Sequence, residues 1–99
     1  MSQIIQGDDG TVFDFTVKNK GKIVDIRGAT VEVFVKNRNY EFTKRANIVD
    51  GQNGKCEIVL NRDNTQYVGT YLFQATVTLP DGREFSSGTM KFNVGKKLK

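Results

Sequence analysis

Histidine and tryptophan are absent from the 99 residues, and cysteine and proline occur once each. Without histidine the chain lacks the commonest general base and the commonest metal ligand. With Cys56 alone it lacks any intrachain disulfide, cysteine-histidine dyad or multi-cysteine zinc site. Most catalytic templates fall with these residues, and we expect no enzyme and no cofactor or metal. Long hydrophobic runs are missing too. No stretch approaches the ~18 apolar residues of a membrane span. The opening Met1-Ser2-Gln3-Ile4-Ile5-Gln6-Gly7-Asp8-Asp9 carries neither the basic nor the apolar segment of a secretory leader. Membrane insertion is not expected, and an unpaired thiol at an apolar position fits synthesis in a reducing compartment.

A one-sided charge is nearly absent as well. Lys and Arg number 15 against 11 Asp and Glu, giving +4, and Lys96, Lys97 and Lys99 supply three of those charges, leaving +1 for the rest. Nucleic-acid domains gather basic residues on one face or stripe. Here they alternate with acidic and polar residues, as in Lys18-Asn19-Lys20-Gly21-Lys22 or Asp81-Gly82-Arg83-Glu84, so no nucleic-acid partner is expected. The length suits one domain, which we place at 1–95, with 96–99 a basic tail or the start of a connection to a downstream region.

What the chain does contain is alternation. Phe13, Phe15 and Val17 alternate with Asp14 and Thr16; Val31, Val33 and Val35 with Glu32, Phe34 and Lys36; Cys56, Ile58 and Leu60 with Glu57, Val59 and Asn61. Tyr71 to Leu79 extends the pattern over nine residues, and Phe85, Met90, Phe92 and Val94 follow. A period of two marks half-buried strands. About seven are expected, at 4–6, 11–18, 30–37, 40–45, 55–60, 69–79 and 84–94, with an optional short one at 23–26. Leu79-Pro80-Asp81-Gly82-Arg83 has the residues of a hairpin turn, and other turn clusters recur every ten to fifteen residues or so. Ser86-Ser87-Gly88 reads as a bulge or bend. Asn61 to Val68 lacks strand character and reads as a crossover between sheets with one helical turn. Seven short antiparallel strands in about 100 residues predict an all-β, immunoglobulin-like sandwich, with Tyr71 as its tyrosine corner.

Chemistry-bearing clusters are few. Asp8, Asp9 and Asp14, and Asn61-Arg62-Asp63-Asn64, offer oxygen ligands, but not at the spacing of a calcium loop, and read as solvated turn residues. Cys56 has no histidine to activate it and reads as a core thiol. No pair of carboxylates stands out for glycosidase chemistry. Phe34 is out of phase with its valine neighbours, and Tyr40 and Phe42 follow among Arg38, Lys44 and Arg45. These three are the candidate protein-docking residues. The plainer alternative puts Phe34 on a partly covered outer face and Tyr40 and Phe42 in the core of the next strand.

The order of motifs carries a resemblance over nearly the whole chain. Gln6-Gly7-Asp8-Asp9-Gly10-Thr11 leads into Phe13-Asp14-Phe15-Thr16-Val17. Then come Gly21 to Val31 with its Asp25-Ile26-Arg27-Gly28-Ala29 segment, Gly69-Thr70-Tyr71, and Leu79-Pro80-Asp81-Gly82-Arg83. In this order they resemble the N-terminal domain of phage baseplate upper proteins, from siphophages or prophages of Gram-positive bacteria. The resemblance implies an immunoglobulin-like virion structural domain, made in the bacterial cytoplasm and located in the tail baseplate. There it would dock a peripheral, receptor-binding protein onto the baseplate core. Its partners would be other baseplate and tail proteins, with no small-molecule substrate, and the isolated domain would be monomeric. The matching residues are turn glycines and core alternation, so no contact residue carries over. The alternative function is an immunoglobulin-like adhesion or carbohydrate-binding module with Tyr40, Phe42 or Tyr67 as stacking platforms.

Overall fold

Each alternating segment has one face that water disfavours, and two sets of such faces meet in the computed structural model, which describes residues 4–98. In chain order the strands are β1 (Ile4–Ile5), β2 (Thr11–Thr16), β3 (Lys18–Asn19), β4 (Lys22–Ile23), β5 (Thr30–Asn37), β6 (Tyr40–Arg45), β7 (Asn47–Asp50), β8 (Lys55–Leu60), β9 (Gly69–Thr78), β10 (Glu84–Ser86) and β11 (Met90–Gly95). The larger sheet runs β1-β11-β9-β5-β6, with β10 also on β9, and the smaller runs β2-β8-β7. This is the immunoglobulin-like arrangement, with B-E-D in one layer and G-F-C plus an added C′ strand in the other. β1 lies parallel to β11, whereas the other strand pairs are antiparallel. Every one of the seven expected strands is present. The expected 11–18 strand divides at Val17: its N–H still makes the in-register bond to the Gly54 carbonyl at 2.7 Å, and Lys18 beyond it pairs with Ile23 instead.

The strands that the sequence reading did not include are β7 and the short β3–β4 hairpin; the optional strand at 23–26 is present only at Ile23, where β4 ends. Alternation keeps its phase through Ala46, with even-numbered residues inward from Tyr40 to Asp50, while the chain passes from the larger sheet to the smaller one: β6 pairs with β5, and β7 pairs with β8. The four residues of β7 show a weak pattern of half-buried Ile48 and exposed Val49.

The core lies between the layers. Val31, Val33 and Val35 from β5 meet Ile58 and Leu60 from β8, all essentially without exposure. Aromatic rings fill the centre. Tyr71 stacks on Phe92 with centroids 5.1 Å apart, and Phe13 meets Phe73 edge to face at 5.1 Å. Such pairs add about 0.5–1.5 kcal/mol beyond the area they bury.

Turns and breaks follow the local chemistry. In the β9–β10 hairpin the Leu79 N–H donates to the Arg83 carbonyl and the Gly82 N–H to the Leu79 carbonyl, at 2.7 and 2.9 Å. Gly82 takes a φ of +91°, which a side chain would strain. Across the crossover, Arg62–Thr65 make a 3₁₀ turn capped reciprocally: the Asn64 N–H donates to Asn61 Oδ1, and the Asn61 N–H donates to Asn64 Oδ1. Tyr71 then anchors the next strand, its hydroxyl donating to the Tyr67 carbonyl at 2.8 Å, which is the tyrosine corner.

Between β10 and β11 the ladder is interrupted, as the small residues imply. The buried Ala75 N–H donates to Ser87 Oγ at 3.0 Å, and the Ser87 N–H donates to the Ala75 carbonyl at 2.8 Å. One serine thus replaces a missing ladder partner. Of the basic tail 96–99, Lys99 lies outside the described residues.

Candidate functional site

The β5–β6 hairpin places the three candidate docking residues. Its tip is held by Asn37, whose Oδ1 accepts from the Asn39 N–H at 3.1 Å and whose Nδ2 donates to the Thr70 carbonyl at 3.2 Å. The resulting register sets Asn37 opposite Tyr40, Val35 opposite Phe42 and Phe34 opposite Thr43. Side chains alternate between faces. Tyr40 and Phe42 therefore share the inner face with the buried valines, and Phe34 stands on the outer face. The three do not form one patch.

Tyr40 and Phe42 are half-buried against the core, with ring centroids 5.3 Å apart, and Tyr40 reaches Tyr67 at 5.9 Å. Phe34 is 46% exposed, and its diagonal neighbour across β9, Leu72, is 47% exposed. Lys36 and Lys91 sit directly opposite Leu72 on the two flanking strands, so a small apolar spot has a basic border. Leu72 was not singled out from the sequence. The signal was there, since Leu72 breaks phase with Tyr71 and Phe73 as Phe34 does with Val33 and Val35.

At the far end of the same sheet an open groove of about 790 Å³ is lined by residues of the β4–β5 connection and the β9–β10 turn, including Asp25, Arg27, Pro80, Asp81, Arg83 and Glu84. Two Asp-x-Arg turns face it. Arg27 Nη2 lies 2.6 Å from Asp25 Oδ2, and Arg83 Nε lies 2.7 Å from Asp81 Oδ2. The Arg27 side chain, and then its N–H, hold the Asp25 carboxyl below its ordinary 3.8. The Arg83 N–H, and then its side chain, do the same for Asp81. Each guanidinium is matched by its own aspartate, and Glu84 adds a further negative charge, so the groove offers no excess positive charge to a phosphate backbone.

The remaining clusters resolve into structural roles. Asp9 Oδ1 accepts from the Arg62 N–H at 3.2 Å, and Asn61 and Asn64 cap each other. Among the described residues no three metal-ligating side chains come together. Asp14 lies opposite Glu57 across the open outer face of the smaller sheet rather than across a cleft. Cys56 is 1% exposed, and burial pushes its thiol up to about 11, away from the thiolate that nucleophilic chemistry requires. Among the described residues no helix is long and apolar enough to cross a membrane.

The sequence matches the family described as BppU N-terminal domain over residues 1–99. The chain belongs to that family. As a BppU N-terminal domain, the N-terminal domain of baseplate upper proteins, it is assigned to the phage tail baseplate. No curated protein matches the chain. Among solved structures, the BppU domain is similar to part of a protein from Bacteroides vulgatus described as a glycoside hydrolase. The TM-score is 0.59 and the identity 13%, over 99% of this chain and 17% of that one. At that identity, over so small a share of the larger protein, the likeness concerns the fold alone.

Proposed function

We propose that this domain is a non-catalytic adaptor that docks a peripheral, receptor-binding protein onto the baseplate core, and that its docking contact is the outer face of the larger sheet around Phe34 and Leu72. The supporting observation is that pair of exposed side chains on an otherwise polar sheet face, bordered by Lys36 and Lys91. An apolar spot rimmed by polar residues is the anatomy of a protein contact. The rest of the domain supplies a rigid support. It is monomeric when dilute and takes neither nucleic acid nor a small-molecule substrate.

Cross-linking of purified virions followed by mass spectrometry tests this reading. Lys36 and Lys91 are expected to link to another tail protein. Links confined to Lys18, Lys20 and Lys22 on the β3–β4 hairpin would place the contact elsewhere and overturn it. The rival reading, a carbohydrate-binding module, rests on Tyr67 beside Tyr40 at the crossover end. A glycan array without a hit removes it.

A further inference from the structure

Among the described residues the larger sheet ends at β6, whose outer edge carries no strand. β6 is the terminal strand, joined on one side to β5. The Ala46 N–H donates to the Val31 carbonyl, and the pairing of Asn37 with Tyr40 closes the hairpin. In an antiparallel ladder hydrogen-bonded and non-hydrogen-bonded pairs alternate. Tyr40, Phe42 and Lys44 therefore direct their backbone groups to β5, and Glu41, Thr43 and Arg45 direct theirs to the open edge. Such an edge is a template for an added strand.

We propose that β6 pairs antiparallel with β6 of a second copy about a two-fold axis through Thr43. In that register the Thr43 backbone bonds to its counterpart. Glu41 faces Arg45 of the second copy, and Arg45 faces its Glu41, so the outward-pointing backbone groups of the strand all find partners.

The side chains agree with the register. Within one copy Glu32 already lies opposite Arg45, and Lys36 opposite Glu41. Joining two edges extends each pair into a row of alternating sign, Glu32, Arg45, Glu41, Lys36, running across both molecules. Opposite charges directly across a pair stabilise it and like charges oppose it. On the inner face the same register sets Phe42 against Lys44 of the second copy, a ring against an ammonium group, which attract. Shifting the register by two residues toward Tyr40 sets Glu41 against Thr43 and leaves the Arg45 backbone without a strand partner. Charge and hydrogen bonding thus select one register and one occupant, as an isologous contact requires.

This inference does not depend on the docking reading: self-pairing is measured on the chain alone, and docking on the chain with tail proteins. The measurement is sedimentation velocity over a concentration series, with amide exchange at Glu41, Thr43 and Arg45. Association is expected to rise with concentration, and those three amides to become protected with it. Thr43→Pro removes a donor that points away from β5, which an edge strand tolerates, and should abolish association with the fold intact by circular dichroism.

Glu41→Arg and Arg45→Glu should each weaken association about tenfold or more, since each sets like charges opposite at both symmetric positions. An equimolar mixture of the two variants should recover it, because each introduced charge then meets its opposite. An unchanged sedimentation coefficient up to the solubility limit would overturn the inference. So would association that survives Thr43→Pro, a mixture that recovers nothing, or edge amides protected only when another tail protein is added.

Discussion

Single side chains carry much of the stability, and three make distinct predictions. Ser87 Oγ is the partner of the buried Ala75 N–H. Ser87→Ala orphans that donor and should destabilise the domain by about 1–3 kcal/mol in urea unfolding, while the exposed neighbour Ser86→Ala stays within about 0.5 kcal/mol. Tyr71→Phe removes the bond to the Tyr67 carbonyl and keeps the stacked ring, so about 1 kcal/mol should be lost. Cys56 gives a pH dependence. Its thiol is raised from 9.0 to about 11 by burial, so the folded state holds the proton more tightly than the unfolded state. The resulting stability is complete below pH 9.0 and is lost as the pH rises through about 11. Burial raises Tyr71 in the same direction. Urea midpoints measured on that alkaline limb should fall, and Cys56→Ala should flatten the slope by the thiol's share.

Elements explain how much could be read in advance. The alternating valines, the phenylalanines and the Pro-Asp-Gly turn are local signals, so the main strands, the crossover and the tyrosine corner were legible in the sequence. Pairings were not, because register is a property of two segments. The parallel contact of β1 with β11 and the short β7 after Ala46 depend on where the chain changes sheet. The docking residues split for the same reason: Phe34, Tyr40 and Phe42 lie close in sequence, yet the hairpin register sends Phe34 to the opposite face from the other two. One connection is unusually constrained. Gly54 has a φ of +68°, and a Cβ there would lie 2.8 Å from the Val17 carbonyl oxygen and 2.9 Å from that of Val24. Those strand-end carbonyls cannot withdraw easily, so Gly54→Ala should cost about 2 kcal/mol or more, well above the effect of an exposed loop substitution, and appear as a lower thermal midpoint.

At the scale of the molecule, the proposed roles call on two surfaces of a domain whose one thiol is sealed in the core. One is the outer sheet face at Phe34 and Leu72; the other is the β6 edge. The body carries almost no net charge once the lysine tail is set aside, so the proposed contacts rest on shape and on local charge order. The central claim is docking through the outer face, and the most direct measurement is a titration of the purified distal tail assembly with this domain and with a Phe34→Ser, Leu72→Ser variant. Saturable binding by the wild type, at least about tenfold weaker for the variant with its urea midpoint unchanged, is the expected result. Equal binding by the two proteins would contradict it.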